Sequence, residues 1–311
     1  MVRQAHHDNK AHHDNKAHHD NKAHHDNKAH HDSKNMSIKN IVIKSVDALP
    51  FALRSRIKNI PGAKQLQSYL LKKYVSKKDF IATISGGPAK GLVFPVQMPQ
   101  DKLMWIGTWE LEFACTLHRY VQPGWVCYDI GGYKGYYAGI MALKGAQKVY
   151  VFEPMPANAE KIQQLISLNP TLPISLEKYA VSDTNGNATF KIMPEETMGK
   201  LHASSFEPNQ QESTTIEVDC ITIDRLIEKN FPVPDFIKID VEGAEEFVLR
   251  GASKLFAAKK PILMIEVHSL EIGARCVALL KDHYNSIRVF ETGLPPGNGE
   301  AAICHYIINN V

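Results

Sequence analysis

Four separated stretches of the chain carry residue types that could hold a nucleoside and move a proton. The first, V-C-Y-D-I-G-G-Y-K-G-Y-Y-A-G at 126–139, runs from apolar residues into Asp129, then Gly131, Gly132 and Gly135, then a helix-compatible segment. Strand, tight turn and helix in that order open a βαβ unit. A dinucleotide fingerprint would need glycines at 131, 133 and 136, but tyrosines stand at the last two. A carboxylate beside the turn repels phosphates and attracts a ligand carrying an ammonium and a sulfonium. S-adenosylmethionine therefore suits Asp129, Gly131 and Gly135 better than a nicotinamide dinucleotide does.

The second stretch, K-V-Y-V-F-E-P at 148–154, ends its strand in Glu153, twenty-two positions after Gly131. An acid there can accept both ribose hydroxyls of an adenine nucleoside; the plainer reading is an acid at a helix N-terminus ahead of Pro156. The third, P-I-S-L-E-K-Y-A-V-S-D at 173–183, reads as one strand ending in Ser182 and Asp183. Asp183 either bonds an adenine amino group or begins the turn T-N-G-N.

The fourth combines D-F-I-K-I-D-V-E-G-A-E at 235–245 with P-I-L-M-I-E-V-H at 261–268. A sulfonium ligand gives up its methyl by in-line displacement, which needs alignment and, were the acceptor a hydroxyl, a group to take its proton. His268 is the first candidate base, with Glu266 to orient it, because imidazole titrates near neutrality; a histidine that only bonds a backbone carbonyl is the alternative. Asp240 would face the methionine end of the cofactor or the acceptor, with Glu242 beside it, although Glu242 and Glu245 could instead serve a helix N-terminus. Asp240, Glu242, Glu266 and His268 could together hold Mg²⁺ or Mn²⁺. No metal is assigned.

These residues need an open α/β sheet to bring them together, since ligands there sit beyond the carboxyl ends of the strands. Short β-branched runs separated by helix-like segments supply one, and A-T-F-K-I-M with T-T-I-E-V-D-C-I-T-I reads as an inserted β-hairpin. With 311 residues and 44% hydrophobic content, the chain can bury a large core. A net charge of +3 gives no case for nucleic acid. No apolar run reaches membrane-spanning length, no signal peptide is recognisable, and five cysteines lack C-x-x-C spacing, so the expectation is a cytoplasmic protein.

The first 35 residues differ in kind. A-H-H-D-N-K occurs four times and A-H-H-D-S-K once, holding ten of the fifteen histidines. This tract has no apolar face and reads as a disordered tag or low-complexity tail. Residues 36–84 form a basic extension with two amphipathic helical segments that either cap a sheet or touch an anionic membrane, leaving 85–311 as the domain with the chemistry. Oligomeric state is not legible.

Across most of residues 85–270 the sequence resembles the FkbM family of S-adenosylmethionine-dependent O-methyltransferases. The resemblance rests on G-T-W-E (107–110), D-I-G-G-Y-K-G-Y-Y (129–137), F-E-P (152–154), A-V-S-D (180–183), I-K-I-D-V-E-G-A-E-E-F-V-L-R-G-A (237–252) and P-I-L-M-I-E-V-H (261–268). It implies a Rossmann-like class I methyltransferase fold: a seven-stranded, mostly parallel sheet whose last strand is antiparallel, with helices on both faces and an N-terminal helical extension. It also implies that Glu110 reaches the methionine amino group of the cofactor, where the plain reading has Glu110 beginning a helix. The acceptor it implies is a hydroxyl of a sugar, glycolipid or secondary metabolite. Gly132, Tyr133 and Lys134 depart from the family's usual D-x-G-A-N-x-G, which admits a catalytically silent cofactor-binding or scaffold protein as the alternative.

Overall fold

The computed structural model describes residues 79–192, 199–201 and 214–310. The histidine-rich tract and the basic segment as far as residue 78 lie outside the described residues. Residues 79–83, read from sequence as part of that basic extension, are instead a strand, β1 (Asp79–Thr83), paired antiparallel with β2 (Val93–Gln97). Two helices follow, α1 (Lys102–Trp105) and α2 (Leu111–Tyr120).

The main sheet starts at β3 (Val126–Ile130), followed by α3 (Tyr136–Leu143), β4 (Lys148–Phe152), α4 (Pro156–Leu168) and β5 (Ile174–Glu177). After an insertion it resumes with α5 (Ile223–Glu228), β10 (Phe236–Ile239), α6 (Glu245–Arg250), α7 (Ser253–Ala258), β11 (Ile262–Val267), α8 (Leu270–Leu280), β12 (Ser286–Val289) and β13 (Cys304–Asn309). The order across the sheet is β12-β13-β11-β10-β3-β4-β5. Pairings from β11 through β5 are parallel, and β13 runs antiparallel between β11 and β12. The seven-stranded sheet with an antiparallel last strand is therefore present as expected.

Every residue of β3 and β10 is buried. Side chains alternate between faces along a strand, so both faces of the sheet centre must be covered. Tyr128, Ile130, Phe152, Ile237, Ile239 and Val267 belong to the resulting core. α3 buries seven consecutive residues, Tyr136 to Ala142, and is apolar on all sides. Asp235 ties the strand starts together by accepting from the Val126 amide at 2.9 Å. Four of the five cysteines are buried; Cys115 is exposed.

The third strand differs from expectation. Residues 173–183 do not form one strand: β5 stops at Glu177, and β6 (Ala180–Val181) starts a second sheet of order β6-β9-β7-β8. That sheet contains β7 (Gly186–Ile192), β8 (Gly199–Leu201) and β9 (Thr214–Ile221), with β7 and β9 antiparallel as the hairpin reading required. β5 is the sheet's last strand, so nothing in the main sheet holds the chain beyond Glu177. Ala180 and Val181 pair instead with Cys220 and Ile221.

Candidate active site

Register decides which side chains meet. Ile130 pairs with Phe152 on one side and Ile239 on the other, and Ile239 pairs with Ile265. Gly131, Glu153, Asp240 and Glu266 each come next in their strands and so emerge along one edge of the sheet. There they line a cavity of about 430 Å³ that also includes Glu110, Tyr133, Met155, Phe190, Lys238 and Glu242.

The floor is glycine because neighbouring backbone and side-chain atoms come too close for anything larger. A Cβ on Gly131, whose φ is +75°, would lie 1.8 Å from the Asp240 carbonyl oxygen, and one on Gly132 would lie 2.1 Å from Val151 Cγ1. Glu153 is 5% exposed and accepts from the Tyr133 amide at 2.8 Å and the Met155 amide at 3.0 Å. Burial raises its pKa to about 7 despite those bonds. Tyr133 takes the left-handed region, φ +52°, at the position where the family favours asparagine. Lys134 turns away from the cavity into a buried ion pair with Asp101, 2.7 Å long. Neither departure therefore puts a cation into the cavity at this turn.

Asp129 is fully buried beneath the turn and off the cavity wall. It faces Lys238 Nζ at 3.6 Å, and burial raises its pKa against the pull of that lysine. Gly135, at φ +78°, caps α3 from outside the wall. Ser182 is buried and Asp183 exposed, joined by a 3.3 Å hydrogen bond, and neither lines the cavity. The chain leaves the main sheet before reaching them, so Tyr179, Ala180 and Val181 form that wall instead.

Of the candidate catalytic groups, Asp240 and Glu242 line the cavity with Glu266, while His268 lies outside the lining, behind them. His268 is 5% exposed; its Nδ1 lies 2.9 Å from the fully buried Glu245, and its Nε2 lies 3.3 Å from Glu242. Asp240 and Glu266 stand 3.9 Å from Nε2. Glu245, not Glu266, therefore orients the ring. Burial pulls the imidazole's pKa down, but Glu245, Asp240 and Glu242 carry it up to about 9, well above the near-neutral titration expected from residue type. Glu242 holds φ +52°, a costly conformation for a side chain of its kind, and burial raises its carboxyl with help from Asp240 and Glu266. Glu110 stands at the N-cap of α2 with φ +37°, yet makes no capping bond: it accepts from the Tyr137 hydroxyl and lines the cavity.

Two residues not picked out from sequence complete the site. His305 on β13 is the register partner of Glu266, 3.5 Å from it through Nε2, with Nδ1 held at 2.6 Å by Glu291. Those two acids outweigh burial and raise His305 to about 9. Lys238, buried within β10, donates to Gly131 O at 3.0 Å and Asp240 at 3.1 Å. Among the described residues, two sets could hold a divalent cation, their ligand atoms within 4.8 Å of one another: Asp240, Glu266 and His268; and Glu110, Glu266 and His305.

This strand order, with the cavity at the carboxyl edge of its parallel strands, is that of the class I methyltransferase fold. The methyltransferase FkbM domain model matches residues 129–290, more than half of the sequence, and the chain belongs to that family. Over 145 residues it is 29% identical to the hexuronic acid methyltransferase AglP of Haloferax volcanii, covering 46% of this chain and only 56% of that protein. Among solved structures, it is similar to methyltransferase FkbM from Methylobacillus flagellatus KT, at 19% identity and TM-score 0.42, over 59% of this chain and 43% of that one. It is also similar to a precorrin-6y C5,15-methyltransferase from Geobacter metallireducens, at 14% identity and TM-score 0.37, over 64% and 85%.

Proposed function

We propose that the protein transfers a methyl group from S-adenosylmethionine to a hydroxyl oxygen of a sugar-like acceptor. Glu153 carries this reading: a buried carboxylate on the cavity wall at a strand end, steadied by two backbone amides and the Asn158 side chain, with acceptor capacity left for a ribose hydroxyl. The glycine floor admits a ligand close to the strand tips. Met155, Val181 and Phe190 offer an apolar slot for the adenine, and Glu110, Asp240, Glu242 and Glu266 suit a cation on the far side. When bound, S-adenosylmethionine supplies an electrophilic methyl on sulfur.

The chain's own residues do the rest. Asp240 and Glu242 face the acceptor and orient its hydroxyl. Glu242 takes the proton, its carboxyl raised by burial above the ordinary glutamate range, the direction that suits a general base. His268 stays protonated up to about pH 9 and pins Glu242 from behind, with Glu245 fixing the ring. A sugar acceptor is consistent with the activity named for AglP.

The test is methyl transfer from isotope-labelled S-adenosylmethionine to a panel of methyl glycosides, neutral and uronic. Turnover of one member, at least 100-fold slower in Glu242→Gln with donor affinity kept, supports the assignment. No labelled product with any glycoside, while the donor binds, would remove the sugar class.

A further inference from the structure

We propose that Lys238 is a positioning residue that sets donor affinity by holding the tips of β3 and β10 at fixed charge and spacing. A lysine inside a strand buried on both faces runs against the composition of such strands. Packing alone would be met better by leucine or methionine. Its Nζ reaches three acceptors on two neighbouring strands: Gly131 O at 3.0 Å, Asp240 Oδ2 at 3.1 Å and Asp129 Oδ1 at 3.6 Å. The Tyr137 ring centre lies 5.4 Å away, completing a cation-holding pocket.

Charge shows what the lysine is for. Five carboxylates line the cavity, those of Glu110, Glu153, Asp240, Glu242 and Glu266, and Lys238 is the one lysine or arginine on that wall among the described residues. Asp129 lies directly beneath, fully buried, with neither oxygen in a close hydrogen bond and with Lys238 and the Ala138 amide as the groups that steady its charge. Lys238 therefore compensates a buried aspartate that lies off the cavity wall and also fixes the Gly131 carbonyl and the Asp240 carboxylate, whose residues line the cavity. An ammonium shared between the turn and the acceptor wall keeps those two acceptors from collapsing onto each other or onto solvent. Donor affinity depends on that spacing, and transfer, once the donor is bound, feels Lys238 only through Asp240. This role rests on the donor reading of the cavity, while the pairing with Asp129 stands apart from it.

The experiment is a double-mutant cycle on the full chain with Lys238→Met, Asp129→Asn and their combination. Affinity for S-adenosylhomocysteine, the KM and kcat of transfer, and the ligand-free melting temperature are each measured. Lys238→Met is expected to weaken donor binding and raise donor KM at least 10-fold, with a smaller fall in kcat through its partner Asp240. Adding Asp129→Asn should restore at least 3-fold of the affinity and part of the lost melting temperature, because the uncompensated carboxylate is gone. Methylammonium added to Lys238→Ala should recover binding, a rescue that loss of packing alone would not show. A kcat loss with unchanged KM, or additive effects of the two substitutions on the melting temperature, overturns the proposal. A wild-type chain that ignores the donor overturns its donor half, and the ligand-free cycle still decides the pairing.

Discussion

Glu153 is a residue on which stability and function pull in opposite directions. Its folded pKa of about 7 lies above the ordinary 4.5 of a glutamate, so the folded state binds this proton more tightly than the unfolded one. The stability that proton contributes is fully present below about 4.5 and lost as pH rises through about 7. Glu153→Gln should therefore raise the melting temperature by a few degrees at pH 8 and little at pH 4, checked by thermal unfolding at both. Donor affinity should move the other way: as pH falls through about 7, the carboxylate that accepts hydroxyls is protonated, and affinity weakens. Across the cavity, kcat should climb as Glu242 loses its proton and decline above about pH 9, where His268 loses its own. A rate still rising through pH 9 would return the role of base to His268. The strand-end positions of Glu153 and Asp240 were legible because each directly follows a short run that reads as a strand, and Glu242 and His268 lie within two residues of such an end. The acidity of His268 was not, since it depends on Glu245, which the sequence places on a helix and the fold turns back beneath the ring.

Among elements, the β3–α3 turn is held by contacts on both sides. Gly131→Ala would drive a methyl to within 1.8 Å of backbone at Asp240, and at φ +75° even a relaxed side chain is strained. We expect a loss of about 2–4 kcal/mol in denaturant unfolding, together with loss of donor binding. Lys134→Met would strand the 1%-exposed Asp101 without its cation. The cost should be about 3 kcal/mol, since breaking a buried pair leaves a bare charge; replacing Asp101 by Asn as well should recover much of it. The order of strand, turn and helix could be read from the glycines and the apolar runs. Two features could not. The break after Glu177 depends on where the main sheet ends, and the meeting of His305 with Glu266 depends on the register of an antiparallel strand thirty-nine residues downstream. Neither is encoded in local pattern.

For the whole molecule, the sheet gathers strand-end acids onto one cavity whose near side suits a nucleoside and whose far side suits a hydroxyl and its proton. Tyr133 and Lys134, which raised the prospect of a silent scaffold, leave that arrangement intact: one keeps its amide on Glu153 and the other is spent on Asp101. No helix of the described residues is long and apolar enough to cross a membrane. The central claim is that Glu153 anchors the nucleoside of a sulfonium methyl donor, and calorimetric titration of S-adenosylhomocysteine tests it most directly, wild type against Glu153→Ala. Micromolar binding that weakens at least 100-fold in the variant, about 2.7 kcal/mol, is the expected result. Equal affinity in the two proteins, or none in the wild type, would contradict it.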